Sequence, residues 1–283
     1  MHALYDLSGA GLLRVSGPDA QKLLQGQLTC DLDEVSPQQG AMGAHCNPQG
    51  RVISFFYLLM LADAYYLLLP REMVTLASAA LKKFSVFYKV NLEDVSDALT
   101  VAGFQTDSNL VNTENMARLN LPNQRFILLG SVAEMKTFCD KRLQTNFDLL
   151  RAEAWHARNI EEKIPAVYAA TSSKFLPHEI NLPALNAVNF NKGCYTGQEI
   201  IARMHYRGKL KTHLFKAMLT TDHLPAPGSL IYASQDNPSR PVGTVVDTCQ
   251  TGYNNYLVLL ITDEMNAKDK HLFLHKNDNY FTF

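Results

Sequence analysis

From Val52 to Leu69 the chain runs through Phe, Tyr, Ile, Leu and Met with a single charged residue, Asp63. A tract of that length has the reach of a membrane span, but a carboxylate near its middle costs about 2.5–3.5 kcal/mol on insertion scales. Ala62-Asp63-Ala64 reads instead as a turn between two buried strands, so the fold must be built around a core hairpin. The 283 residues suit about two domains. Hydrophobic residues at 47% and charged residues at 19% exclude a disordered chain. The formal net charge of −1 excludes a chain-wide basic field for nucleic acid. Five cysteines, an odd number with no CxxC spacing, argue against a disulfide scaffold and against a sequence-local zinc or iron–sulfur site, so no metal site is expected. No basic segment precedes an apolar stretch at the N-terminus, and the expected location is the cytoplasm.

Strands and helices alternate irregularly. Leu12–Ser16 reads as a strand closed by Gly17-Pro18, and 19–27 as a short amphipathic helix. Asn47-Pro48-Gln49-Gly50 is a turn signal before the hairpin. Glu72–Phe84 has helical spacing, Lys89–Val95 and Thr100–Phe104 read as strands, and Ser131–Leu143 and Leu149–Asn159 as helices. In Ser131–Leu143 one side carries Val132, Met135, Phe138 and Cys139. No dinucleotide-binding glycine fingerprint appears, so an α+β class is expected over a doubly wound sheet. After residue 213 the texture changes to short β-rich runs: Leu214–Leu219, Leu230–Ala233, Gly243–Asp247, Tyr256–Thr262 and His271–His275. With turn signals such as Asp236-Asn237-Pro238 between them, they suggest a small C-terminal β-barrel. The expected domains are 1–212 and 213–283.

Charge is uneven. Between Asn191 and His213 stand Lys192, Arg203, Arg207, Lys209 and Lys211 against only Glu199, a basic island in a mildly acidic chain. It reads either as a solvated helix face or as an anion site for phosphate, polyglutamate or RNA backbone.

Asn191-Lys192-Gly193-Cys194-Tyr195-Thr196-Gly197-Gln198-Glu199 carries the most chemistry. Thr196 with Glu199 fits a capping box, which starts a helix near Gly197 and places Glu199 and Arg203 at i,i+4. Cys194 then lies just ahead of a helix N-terminus, with Lys192 and Arg203 adding positive charge, a setting that favours thiolate over thiol. The alternative is a buried, inert cysteine in a tight glycine turn.

The run from Lys192 to Glu199, continuing through Ile201-Ala202-Arg203 to Arg207-Gly208, resembles the signature of the YgfZ family. These are folate-binding proteins implicated in tRNA modification and iron–sulfur protein maturation, relatives of the glycine-cleavage aminomethyltransferase (T-protein). The resemblance extends through Trp155, Asn159-Ile160-Glu161, Ile164-Pro165, Phe175-Leu176-Pro177, Asn181-Leu182, Gly17-Pro18-Asp19-Ala20, Gln25–Thr29, Ala44-His45-Cys46 and Leu81–Phe84. It implies interleaved α+β lobes around a central folate cavity, followed by a β-barrel. It also implies that Trp155 belongs to the folate site, that Glu161 is the carboxylate holding the pterin, and that Cys194 is central to function. A pterin's N–C–NH2 edge suits a carboxylate, and its flat ring suits an aromatic face; Arg203 or Arg207 offers charge to the glutamate tail. Trp155 and Glu161 also have plain readings, as core and as exposed surface. Two departures stand out. Lys163 replaces a usual glycine before Ile164-Pro165, and Pro70-Arg71-Glu72-Met73 lacks the aspartate of the T-protein, with Glu72 the nearby carboxylate.

The expectation is therefore a tetrahydrofolate-binding accessory protein, monomeric and without membrane contact, that supports iron–sulfur enzymes and tRNA modification rather than turning over a substrate. The alternatives are a tRNA-binding module acting through residues 191–213 and a folate-dependent aminomethyl transferase. A cysteine hydrolase is disfavoured because His45, His178 and His205 offer no compelling partner.

Overall fold

The computed structural model describes residues 2–107, 115–233, 240–269, 272–274 and 280–283. Strands β1 (Ala3–Asp6) and β2 (Gly11–Ser16) precede helix α1 (Ala20–Gln25), and β3 (Ala41–Cys46), β4 (Val52–Leu61) and β5 (Ala64–Leu69) lead to α2 (Met73–Ser85). Next come β6 (Asn91–Asp94), β7 (Thr100–Gln105), β8 (Ala117–Leu121), β9 (Arg125–Gly130), α3 (Val132–Leu143), β10 (Asp148–Leu150), α4 (Ala152–Glu161) and α5 (Gln198–Arg207). The C-terminal part holds β11 (His213–Thr220), β12 (Leu230–Ile231), β13 (Gly243–Gly252), β14 (Asn255–Thr262) and α6 (Glu264–Asp269).

The apolar tract forms the expected hairpin, with Leu61 paired to Ala64 across a tight turn in which Ala62 has φ +50°. Period-two alternation explains why it is apolar on both faces. Phe56, Leu58, Tyr65, Leu67 and Leu69 pack against α1 and α2 through Leu24, Ala77 and Leu81. Leu59, Tyr66 and Leu68 pack against Ala117, Leu119, Ile127 and Leu129 of the neighbouring sheet. A strand buried on both faces has no solvent side on which to place polar residues.

Two five-stranded sheets, β3-β4-β5-β2-β6 and β10-β1-β7-β9-β8, are interleaved along the chain, since consecutive β1 and β2 belong to different sheets. Among the described residues only β1–β10 is parallel. The fold is mixed α/β. The third sheet, β11-β14-β13-β12, is antiparallel and starts at His213, where the texture of the sequence changes. It shares a core with the first region, in which Ala44, Cys46 and Phe55 meet Val246, Leu257 and Leu259. Its edges are met by single bridges, Met218–Thr282 and Tyr232–Phe273. The expected strand Gly243–Asp247 runs on to Gly252, and Leu230–Ala233 shortens to Leu230–Ile231. The expected turn Asp236-Asn237-Pro238 lies outside the described residues, as do both ends of His271–His275.

Helix α3 buries Met135 and Phe138, but Val132, expected on the same side, is exposed. Ser131 caps this helix, accepting from Glu134 N at 3.2 Å and donating to Glu134 Oε2 at 2.6 Å.

Candidate functional site

The loop before α5 is anchored by a lysine turned inwards. Lys192 Nζ donates towards Gln25 O (2.9 Å), Leu28 O (2.9 Å), Cys30 O (2.6 Å) and Gln25 Oε1 (3.1 Å). Burial pushes its pKa down, opposed by the charges of Cys30, Asp31 and Asp33. The ammonium serves the turn after α1 and does not supply the free charge expected beside Cys194. Tyr195 is buried with Ala44 and Cys46, whereas Cys194 and Gly193 are exposed.

The expected capping box does not form. Thr196 Oγ1 donates to Gln27 Oε1 at 3.0 Å, so the hydroxyl is spent on a tertiary contact. Gly197 occupies the cap position at φ +85°, where a Cβ would stand 2.5 Å from Asn47 O. Helix α5 begins at Gln198, leaving Tyr195, Thr196 and Gly197 between it and Cys194. Glu199 is exposed in the first turn, and among the described residues no ion pair joins it to Arg203.

A cavity of about 360 Å³ opens between β4, β5, α4, the 164–168 loop and β13, within the usual range of small-molecule sites. Its aromatic and polar lining comes from Phe55, Phe56, Tyr57, Arg71, Trp155, His156, Asn159, Tyr168 and Asp247. Trp155, His156 and Asn159 share a face of α4 at helical spacing. Trp155 is both core and wall. Its ring packs on Gly103, where a Cβ would lie 2.7 Å away, meets Tyr5 edge-on at 5.1 Å, and lies 4.5 Å from the Arg125 guanidinium.

Glu161 is not part of this lining; it is half-exposed and paired with Arg158 at 3.0 Å. The inward carboxylate is Glu162, which pairs with the fully buried Arg125 and accepts from Asn123 Nδ2 at 2.9 Å. The reversal follows from helix phase: 155, 159 and 162 fall on one side, and 161 does not. Lys163, standing where a glycine is usual, has φ +55°, the left-handed region that glycine enters without steric cost. Glu72 accepts from Ala169 N at 2.9 Å and does not line the cavity. Cys194, Arg203 and Arg207 do not line it either. Of the residues expected at a folate site, the structure places Trp155 alone on the cavity.

Sequence reasoning missed the His156–Asp247 pair in the cavity wall. Asp247, fully buried on β13, accepts from Tyr168 OH (3.0 Å), Ala166 N (2.9 Å) and Thr248 N (2.8 Å), and pairs with His156 Nε2 at 2.9 Å. A charged residue inside the apolar run Val245-Val246-Asp247 was the available signal. Cys249, two residues further along β13, places its sulfur 3.5 Å from Glu153 O on α4. Burial works against a charge on His156, but Asp247 and Cys249 outweigh it and raise its pKa to about 10. By contrast, burial with help from Lys83 pushes His45 down to about 4. The His156 contribution to stability is complete below its unfolded pKa of about 6.5 and is lost as pH rises through about 10. The melting temperature of the wild type should therefore fall across this window, and His156→Gln should flatten the fall. Parallel curves for the two proteins would show that the pair holds no extra proton.

The basic island lies elsewhere. Arg203, His205, Tyr206 and Arg207 are exposed on α5, followed by exposed Lys209 and Lys211. His205 stacks on Phe190 with centroids 3.8 Å apart and an 18° tilt, and Tyr206 meets His205 edge-on at 4.8 Å. Among the described residues none of the ion pairs engages these arginines and lysines, and no group of three or more His, Cys, Asp or Glu side chains suits a metal ion. No helix among them is long and apolar enough to cross a membrane.

Comparison with known proteins gives concordant results. The chain is 31% identical to a tRNA-modifying protein YgfZ from Sodalis glossinidius, with 98% of this chain and 89% of that protein covered. It is 32% identical to the protein of the same name from Escherichia coli O157:H7, with 86% and 80% covered. Among solved structures, the glycine cleavage system aminomethyltransferase T from Bartonella henselae superposes with a TM-score of 0.70 at 12% identity, covering 99% of this chain and 84% of that one. The latter likeness shows a shared fold. No family model matches the chain.

Proposed function

Because the chain belongs to the YgfZ family, we propose that it binds a reduced folate, tetrahydrofolate, in the Trp155 cavity and supports tRNA modification as an accessory protein. The observation that carries this reading is a roomy, largely apolar cavity with Trp155 in its wall, set in a fold shared with an aminomethyltransferase. A flat pterin gains from contact with an aromatic ring. The folate region would span 1–212, and the sheet from 213 onwards would close into a barrel through the bridges at its edges. Aminomethyl transfer is not favoured, because Asp247 accepts from donors at both of its oxygens and Glu72 does not line the cavity.

Arg203 and Arg207 suit a tRNA backbone better than the folate tail, since they stand with Lys209 and Lys211 beside exposed Tyr206. Cys194, held at the surface between buried Lys192 and Tyr195, is the thiol offered to a partner such as an iron–sulfur enzyme or assembly protein. The cytoplasm is where such partners would be met.

One experiment with two arms tests the proposal. Tetrahydrofolate should quench Trp155 fluorescence saturably below millimolar concentration. Arg207→Glu with Lys209→Glu and Lys211→Glu should abolish the salt-sensitive retention of tRNA without altering the folate titration. No saturable quenching by the wild type would remove the folate assignment, and unchanged tRNA retention would remove the α5 face.

A further inference from the structure

We infer that the groove at the C-terminal end of α5 takes an unpaired nucleotide of an RNA, with the base stacked on the His205 imidazole and the phosphate held by Lys209 and Lys211. The inference rests on the tRNA reading of this face and names the part of the RNA that is read, a single-stranded segment.

The groove has a volume of about 830 Å³ and shares no lining residue with the Trp155 cavity. Its lining comes from the end of α5 and the segment after it, through His205, Lys209 and Lys211, and from Asp263 and Glu264 at the start of α6. The imidazole is held in a set plane. It lies face to face with Phe190 at 3.8 Å between centroids and 18° of tilt, and Tyr206 closes on it edge-on at 4.8 Å. His205 lines the groove and Phe190 does not, so the imidazole is the layer of this stack that meets the open space. A ring already fixed in place loses little side-chain freedom when a flat partner settles on it. Unpaired bases offer that partner, since each has a π-face and can be splayed onto an aromatic or histidine ring. In a duplex the bases are stacked on one another and only backbone and groove edges are presented.

Charge sets the direction. Lys209 and Lys211 are exposed, and none of the ion pairs among the described residues engages them. The carboxylates of the groove have partners. Asp263 accepts from Asn266 N at 2.9 Å and from Asn266 Nδ2 at 2.6 Å, while Glu264 faces Lys268 at 3.8 Å and His213 at 4.0 Å. A phosphate is therefore repelled from the α6 end and drawn to the two lysines.

A single-stranded oligoribonucleotide without self-complementarity, and the duplex it forms with its complement, decide the matter by fluorescence anisotropy at one salt concentration. A site made of charge alone would favour the duplex, whose phosphates are denser. The wild type should instead prefer the single strand by about tenfold or more, the scale of one base stacked on a ring. His205→Ala, at an exposed helical position that alanine suits, should abolish that preference while leaving duplex binding and the salt dependence unchanged. His205→Phe should restore it, and His205→Lys, which keeps a charge without a ring, should not. Lys209→Glu with Lys211→Glu should weaken both RNAs and flatten the salt dependence. Phe190→Leu, which removes the support behind the imidazole, should reduce single-strand binding several-fold and is a second, independent reading. Equal or tighter binding of the duplex by the wild type, or unchanged single-strand binding in His205→Ala, overturns the inference while leaving a charge-held tRNA intact. Binding of neither RNA by the wild type overturns the tRNA reading and this inference together.

Discussion

Lys192→Met should cost about 3–5 kcal/mol of folding stability, because hydrogen bonds to a charged group contribute about 1.5–3 kcal/mol each and several are lost together. The methionine fills the volume, but the carbonyls of Gln25, Leu28 and Cys30 lose their shared donor. Each buried acceptor left unpaired carries a penalty of about 1–3 kcal/mol. Denaturant unfolding of the two proteins measures the difference directly, and a loss below about 1 kcal/mol would mean that water reaches these carbonyls once the ammonium is gone. Lys192→Arg should rescue only partly, because a planar fork does not converge on acceptors arranged around a point. The lysine is therefore a structural tie that fixes the loop presenting Cys194.

Arg125→Met should be of similar size, again about 3–5 kcal/mol. It strips Glu162 of its cationic partner and leaves it only the Asn123 amide, frees the Asn159 amide and removes the cation from the Trp155 ring. Glu162→Gln should cost clearly less, since an amide oxygen still accepts from the guanidinium. The two variants also differ at Asn159. Arg125→Met releases the orientation of Asn159, whereas Glu162→Gln retains it. If both variants unfold at the wild-type denaturant midpoint, Arg125 is not the keystone of this side of the cavity.

The parts of the fold that were legible in the sequence are those where a single segment carries its own constraint. The Val52–Leu69 hairpin follows from length, apolarity and one misplaced carboxylate, and the start of α5 follows from the Gly197 region. The capping box failed because Gln27 claims the Thr196 hydroxyl, and a partner 169 residues away is invisible to local pattern. Strands β1, β3, β8, β9 and β10 went unread; β1 and β10 are only four and three residues long and depend on each other for their pairing. The candidate site was harder still. Trp155 was legible as the sole tryptophan of the chain, but Glu161 and Glu162 differ by one residue of helix phase, which only packing decides. His156 and Asp247 meet across 91 residues, and neither sits in a pattern of its own.

The tie made by Lys192 has a consequence for synthesis on the ribosome. Its ammonium answers carbonyls laid down as much as 167 residues earlier, and at about 5–20 residues per second that gap lasts on the order of ten to thirty seconds. During that interval the nascent N-terminal turn has no resident cation to close it. Until the cysteine loop leaves the exit tunnel, the carbonyls of Gln25, Leu28 and Cys30 lack the donor that joins them in the finished fold.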